Sequence, residues 1–75
     1  PAVKFSWDRV KGAKGYKIYW RDTTSPTWDH FKYVENISEF TLEGIVVDNY
    51  FFGIAAIGEN GHESIVSFPT GIIKK

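Results

Sequence analysis

The sequence predicts an all-β domain, an antiparallel sandwich of six to seven short strands. Aromatic residues make up 17% of its 75 residues, and Val and Ile far outnumber the single leucine, Leu42. Such side chains fit a pleated sheet surface better than a helix. Several short runs alternate apolar and polar residues, and turn-forming residues separate them. A chain of this length has room for one core, so we expect residues 1–75 to form a single domain.

The first half of the chain contains two alternating runs. Residues 3–7 predict one strand, and residues 16–21 predict a second, after a connection rich in Gly and Lys over 8–15. Residues 22–26 form a turn cluster of short polar side chains and a proline. In the second strand, Lys17, Tyr19 and Arg21 face outward, whereas the inward positions of the two strands are Val3, Phe5, Trp7, Tyr16, Ile18 and Trp20.

The second half predicts four further strands, over residues 30–35, 39–42, 50–57 and 64–68. The strand at 30–35 alternates without showing which face is inward. A hairpin turn at Asn60-Gly61 precedes the last strand, and the final four residues, Ile-Ile-Lys-Lys, read as a linker. The predicted structural core is Trp7, Tyr16, Ile18, Tyr50, Phe52 and Ile54.

The order of these residues resembles a fibronectin type III domain, which has an immunoglobulin-like β-sandwich fold. The likeness covers almost the whole chain, through Val3, Phe5 and Trp7, then Tyr16, Ile18 and Trp20, then Ile45, Tyr50, Phe52, Ile54 and Ala56, and last Gly61 and Ser64.

The resemblance implies two structural details. The Tyr50 hydroxyl would bond to backbone a few residues upstream. The family also has a strand before the Trp strand, whereas only Pro1 and Ala2 precede Val3. We therefore expect a fragment of a longer chain with its first strand missing, and the Trp7 strand at a sheet edge that needs covering.

Residues 47–64 carry a narrower likeness. They resemble the type III-like domain appended to some bacterial secreted zinc aminopeptidases of the M28 type. This resemblance implies an accessory domain of a larger secreted hydrolase, in an extracellular, periplasmic or cell-surface location. The peptidase's own zinc ligands do not lie in the chain.

Composition argues against several classes of function. The formal net charge is +0 and the pI is about 7.3, which disfavours nucleic-acid binding. No apolar run approaches the roughly 20 residues of a membrane span. His30 and His62 lie in no zinc or nucleophile motif, so we expect no catalytic residue, metal site or cofactor. Lys11, Lys14 and Lys17 read as a solvated face more readily than as a phosphate site.

Outward aromatic residues suggest binding. Tyr19, Phe51 and Ile57 are predicted on the outer face of one sheet, as an interface with a neighbouring domain of the same polypeptide. The competing interpretation is that Lys and Arg stems cover this face and no partner is needed.

A second group, Trp28, Phe31 and Tyr33, offers an alternative, an independent module that binds a glycan or protein ligand. The loop at 58–63 is a third candidate, for adhesion. The function that we expect is a non-catalytic accessory module of a larger secreted bacterial hydrolase, a peptidase. The module would pack on a neighbouring domain or space it from the rest of the chain.

Overall fold

The structure is a computed structural model that describes residues 1–74. Within that range it has six β-strands and one short 3₁₀ helix, and no α-helix, which confirms the all-β prediction. The strands are β1 (Ala2–Ser6), β2 (Ala13–Asp22), β3 (His30–Glu35), β4 (Glu39–Glu43), β5 (Tyr50–Gly58) and β6 (Gly71–Lys74), and the 3₁₀ helix Val47–Asn49 precedes β5.

The strands form two antiparallel sheets of three strands each. One sheet has the order β4-β1-β6 and the other β3-β2-β5. In the first, Phe5 of β1 lies opposite Phe40 of β4, and in the second, Ile18 of β2 lies opposite Ile54 of β5. Because side chains alternate between the two faces of a strand, each sheet turns one apolar face toward the other. The structure thus confirms a small antiparallel β-sandwich.

The core lies between the two sheets. Rings cross the gap directly: Phe5 packs on Phe52 with centroids 4.8 Å apart, and Trp7 packs on Tyr16 at 5.5 Å. Burial of each large apolar side chain stabilises the fold by about 1.5–3 kcal/mol. The core cluster consists of Val3, Phe5, Trp7, Tyr16, Ile18, Val34, Phe52, Ile54 and Ala56, with Tyr50 packed against it and partly buried.

The edge of β1 is covered by the chain's own last strand. β6 runs antiparallel to β1, with Ile72 opposite Phe5, and the Thr70 amide donates to the Ser6 carbonyl at 2.9 Å. The prediction of a linker at the end of the chain was therefore wrong for residues 72–74, while Lys75 lies outside the described residues. The reason is that β1 offers free backbone groups on this side, and pairing satisfies them.

The predicted strand at 64–68 is also absent as a regular strand. Residues 63–67 touch β5 through two isolated bridges, Ile57 with Glu63 and Ile54 with Ser67. Between the two bridges, Ser67 is four residues after Glu63, whereas Ile54 is only three residues before Ile57. The segment therefore carries one extra residue, as in a β-bulge, and cannot form a regular ladder with β5. Its side chains do not follow a simple alternation between core and solvent.

Two phenylalanines give a matched test of this core. Phe5 is fully buried, whereas Phe68 is 84% exposed. We expect Phe5→Ala to lower the free energy of unfolding by about 3–5 kcal/mol, because it leaves a cavity, and Phe68→Ala to change it by less than about 0.5 kcal/mol. Urea denaturation followed by Trp fluorescence measures both. Equal losses would mean that the two side chains are not placed as described.

A candidate docking face on the outer side of one sheet

The outer side of the β3-β2-β5 sheet brings both groups of predicted binding residues together. Tyr19 of β2 lies opposite Phe31 of β3 and Gly53 of β5. Phe51 lies two residue pairs further along, opposite Arg21. The aromatic residues predicted to form an interface and those predicted to bind a ligand were alternatives in the sequence analysis, but they share one surface. We call this surface the aromatic face; it comprises Tyr19, Trp28, Phe31, Tyr33 and Phe51.

Trp28 comes from the loop between β2 and β3 and folds back onto the sheet. A Cβ atom added at Gly53 would lie 3.2 Å from the Trp28 ring and 2.3 Å from Val66. Glycine at this position therefore leaves the space that the indole and Val66 occupy. The Trp28 ring also packs against Tyr19, with centroids 6.1 Å apart. Trp28 is thus half-buried on the face, and does not project from a free loop.

Arg21 fixes the loop that carries Trp28. Its guanidinium lies over two rings, 5.0 Å from the Trp28 centroid and 5.4 Å from that of Phe51. Its Nη1 donates to the Ser25 carbonyl at 2.9 Å. Hydroxyl donors at Ser25 and Thr27 bond to the Asp29 carboxylate and hold its pKa below the usual range. These contacts give the loop at 23–29 a defined conformation on the face.

A charged cluster closes the other end of the face. Lys17 Nζ lies 3.2 Å from Glu63 Oε1, and the Tyr19 hydroxyl donates to Oε2 of the same carboxylate. The Tyr19 bond is the main cause that lowers the pKa of Glu63, and the Glu63 contact raises the pKa of Lys17. Lys17 Nζ also lies 4.6 Å from the Phe31 centroid. The cluster ties residue 63, beyond the hairpin, to β2.

Part of the aromatic face remains exposed, although the side chains of Lys17 and Arg21 lie over some of its rings. Phe31 is 56% exposed and Phe51 is 47% exposed, and Tyr33 is also exposed. Ile57, which the sequence grouped with Tyr19 and Phe51, is only 7% exposed and adds little surface. The rings of Trp28 and Phe31 are tilted by 49° and 50° relative to Tyr19, so the three rings are not coplanar.

The remaining predicted positions lie elsewhere. The ring of His30 stacks on Trp20 and meets Tyr50 edge-on, at centroid distances of 5.6 Å and 6.4 Å. The hydrogen bond predicted for the Tyr50 hydroxyl is not found among residues 1–74. The phenol of Tyr16 instead accepts a bond from the Val10 amide at 2.7 Å. Tyr50 is only half-buried, so its hydroxyl has no need of an internal partner.

Two strongly exposed residues were missed by the sequence analysis. Ile65 is 92% exposed and Phe68 is 84% exposed, more than any other large apolar side chain of the described chain. Both were assigned to a regular last strand. In residues 64–68, apolar side chains occur at both odd and even positions, so in a strand they would point to both faces. Only one face of a strand in a two-layer sandwich lies in the core, which is the signal that some of these side chains are exposed.

No metal or membrane-spanning feature is found in the part of the chain that the structure describes. Residues 1–74 contain no cluster of three or more His, Cys, Asp or Glu side chains placed to hold a metal ion. The same residues offer no helix of the length and hydrophobicity needed to cross a bilayer.

Comparison with known proteins links the chain to segments of larger hydrolases. A "Probable zinc metalloprotease" of Pyricularia oryzae is 36% identical over 69 residues, covering 85% of this chain and 14% of the relative. Another, of Pyrenophora tritici-repentis, is 35% identical over 67 residues, covering 89% and 14%. An "Amylopullulanase" of Thermoanaerobacterium saccharolyticum is 34% identical over 71 residues, covering 91% and 5%. The chain thus spans only a small part of the length of these relatives.

No family model matches the chain, and no solved structure matches it significantly.

The cluster at Glu63 predicts a pH dependence of stability. Because the folded state lowers the pKa of Glu63, its ionised form stabilises the fold above the ordinary carboxyl pKa of about 4.3, and this contribution disappears as the pH falls through the lowered value. We expect Glu63→Gln to reduce the free energy of unfolding at pH 7 by about 0.5–1 kcal/mol, and by less at pH 3. Urea midpoints at the two pH values measure this.

Glu59→Gln, in the same hairpin, is the matched control and should leave both midpoints nearly unchanged. A Glu63→Gln effect of equal size at pH 7 and pH 3 would rule out the ionised contact as its source.

Proposed function

We propose that this chain is a non-catalytic accessory module of a larger hydrolase, and that it docks on a neighbouring domain of the same polypeptide through the aromatic face. The observation on which this rests is the exposed pair Phe31 and Phe51, on a face where the Arg21 guanidinium lies over the rings of Trp28 and Phe51. Exposed aromatic side chains on a rigid sheet are common anchors of protein interfaces. The similarity to short segments of two kinds of hydrolase supports the role of an appended module.

The position of Phe51 within the sandwich supports docking to a covalently attached domain. Phe51 is the second residue of β5, just after the connection that joins the two sheets beyond Glu43. Ala2 pairs with Glu43, and Val3 pairs with Lys74, at the same end. Host sequence joined to either end of this module would therefore start at the end of the sandwich where Phe51 lies, in the other sheet. Covalent attachment supplies a high effective concentration, so a small interface is sufficient.

We assign the fold to the fibronectin type III type, within the immunoglobulin-like sandwiches. Its support is the residue pattern together with the two-sheet arrangement, in which every pair of consecutive strands except β2 and β3 is divided between the two sheets. The proposed host is a secreted metallopeptidase of the M28 type, which places the module outside the cell. The matched metalloproteases are fungal and the amylopullulanases come from Thermoanaerobacterium, so the proposal does not depend on a bacterial host.

A glycan-binding module is the alternative from the sequence. Stacking on a sugar chain calls for exposed rings that share a plane, as each ring covers one flat sugar face. The Tyr19 ring is tilted by about 50° to both Trp28 and Phe31, so it shares a plane with neither, and Trp28 is half-buried against Gly53. The geometry therefore favours protein docking over glycan stacking.

The docking test uses the parent polypeptide without this module and the module added in trans. We expect Phe51→Ser to weaken binding at least about tenfold, equivalent to about 1.4 kcal/mol, in isothermal titration calorimetry. Ile73→Ser is the matched control, because Ile73 is similarly exposed but lies on β6 in the other sheet. It should change the affinity less than about twofold.

Two outcomes would reject docking through this face. One is equal binding by wild type and Phe51→Ser; the other is a loss of stability above about 2 kcal/mol in the isolated Phe51→Ser module, which would make Phe51 a structural residue. Retention of the wild type on insoluble polysaccharide, abolished by Trp28→Ala, would establish the glycan alternative instead. Zinc-dependent aminopeptidase activity of the parent, with and without the module, tests the choice of host.

A further inference from the structure

The hairpin tip beyond β5 carries an asparagine followed by a glycine, and both residues, Asn60 and Gly61, are exposed. Gly61 has a φ of +84°, in the left-handed region that favours glycine. A Cβ atom added to it would meet no atom of the described chain within 4 Å, apart from its own chain neighbours. Little therefore crowds the peptide group that joins these two residues.

The pair matters because an asparagine side chain can react with the backbone that follows it. The nitrogen of the next residue attacks the side-chain carbonyl carbon, and a side chain on that next residue obstructs the approach. Glycine has no Cβ atom and adopts the backbone dihedrals that the attack requires at little cost. The other two asparagines of the chain, Asn36 and Asn49, are followed by Ile37 and Tyr50, whose side chains restrict the approach.

Hydrogen bonds at the tip turn the Asn60 side chain toward the backbone that it would react with. The His62 amide donates to Asn60 Oδ1 at 3.4 Å, so the side-chain carbonyl faces the residues that follow it. The Gly61 amide donates to the Gly58 carbonyl at 2.9 Å, and this bond must break before the Gly61 nitrogen can attack. Hydrogen bonds between exposed residues at a loop tip open at a small cost in free energy, since few buried contacts hold them.

We propose that Asn60 is a site of spontaneous deamidation, and that its isoaspartyl product weakens the contacts of Glu63 at the aromatic face. The Gly61 nitrogen bonds to the Asn60 side-chain carbonyl carbon, and the side-chain nitrogen leaves as ammonia, which takes up the Gly61 amide proton. The product is a cyclic succinimide. Water then adds to one of its two carbonyl carbons and opens the ring, which gives either aspartate or isoaspartate. Water is the only co-reactant.

The two products affect the hairpin differently. Each adds one negative charge, so the formal net charge of +0 becomes negative by one unit. Residue 60 is exposed, and a charge on an exposed side chain changes stability little. Isoaspartate also lengthens the backbone, because the chain then continues through the former side chain and gains one carbon atom. The isoaspartyl form is therefore the one that alters the fold.

The added carbon lies inside a hairpin that is closed on both sides. The Gly58 amide donates to the His62 carbonyl at 2.8 Å, and Glu63 follows His62 directly. A longer path between Gly58 and His62 moves Glu63 relative to β2, where its carboxylate binds Lys17 and Tyr19. Hydrogen bonds weaken steeply as their distance and angle depart from the optimum. This inference concerns the folded module itself and does not require the docking proposed above.

The test is to age the 75-residue chain in mildly alkaline buffer and to map its asparagines by mass spectrometry. Cleavage after glutamate puts the three asparagines on separate peptides, 36–39, 44–59 and 60–63. We expect the peptide 60–63 to gain the mass of deamidation at least about tenfold faster than the other two, because only there does glycine follow the asparagine. Fragment spectra assign the modified residue, and labelling by isoaspartyl methyltransferase identifies the isoaspartyl product.

Asn60→Gln is the matched control, because the longer side chain closes the ring far less readily while an amide stays at the tip. This variant should abolish the change at residue 60, whereas Asn36→Gln should leave it as fast as in the wild type. Two outcomes would overturn the proposal. One is an equal rate at all three asparagines. The other is deamidation of residue 60 in the urea-unfolded chain but not in the folded chain, which would mean that the turn protects it.

Urea midpoints of the purified isoaspartyl form test the effect on Glu63. We expect this form of the wild type to have a lower midpoint than the fresh chain, and Asn60→Asp to have a midpoint close to that of the fresh chain. The same modification in Glu63→Gln should lower the midpoint less, because that variant already lacks the ionised contact. Equal losses in the two backgrounds would reject the coupling between residue 60 and Glu63.

Discussion

The pairing of β2 with β5 is the contact on which the rest of the structure depends. It is the longest ladder of the fold, running from Ala13 opposite Gly58 to Asp22 opposite Tyr50. Its inner face supplies Tyr16, Ile18 and Ile54 to the core. Its outer face supplies Tyr19 and Phe51 to the aromatic face. A two-layer sandwich has a core on one face only, so apolar residues on both faces of this pair require a second cover.

The chain provides part of that second cover from its own loops. Trp28 from the loop at 23–29 lies over Gly53, and Glu63 from beyond the hairpin binds Lys17 and Tyr19. Arg21 then lies across Trp28 and Phe51. The cover is incomplete, since Phe31 and Phe51 remain about half exposed. An aromatic surface whose rings are already packed in place and left partly open would lose little entropy in the docking proposed above.

The segment at 63–70 has to make contacts with both sheets over a short stretch of chain. It must satisfy the edge of β5 and then reach β1, because β6 completes the second sheet beside β1. Its extra residue opposite β5 breaks the alternation, which turns Ile65 and Phe68 to solvent beside an open cavity of about 170 Å³ that Trp7 and Phe68 line. The two exposed residues thus have one common origin in the geometry of this crossing.

The sequence by itself determined the class of fold, the strands β1 to β5 to within a few residues, and most of the core. The reason is that alternation with a period of two is a local property, and it is clear wherever one face of a strand is buried. It also showed that Phe51 and Tyr19 face away from Phe52 and Ile18.

Only the tertiary structure decided which strand covers β1, where Trp28 lies, and which side chains of 64–68 are exposed. Each of these depends on contacts between residues far apart in the chain, such as Ser6 with Thr70 and Gly53 with Trp28. The run Ile65 to Phe68 has apolar residues at both odd and even positions, so its local pattern does not show which side chains are buried. The free edge of β1 and the open space over Gly53 exist only once the sheets are assembled. They determine where β6 and Trp28 lie, which no local sequence pattern specifies.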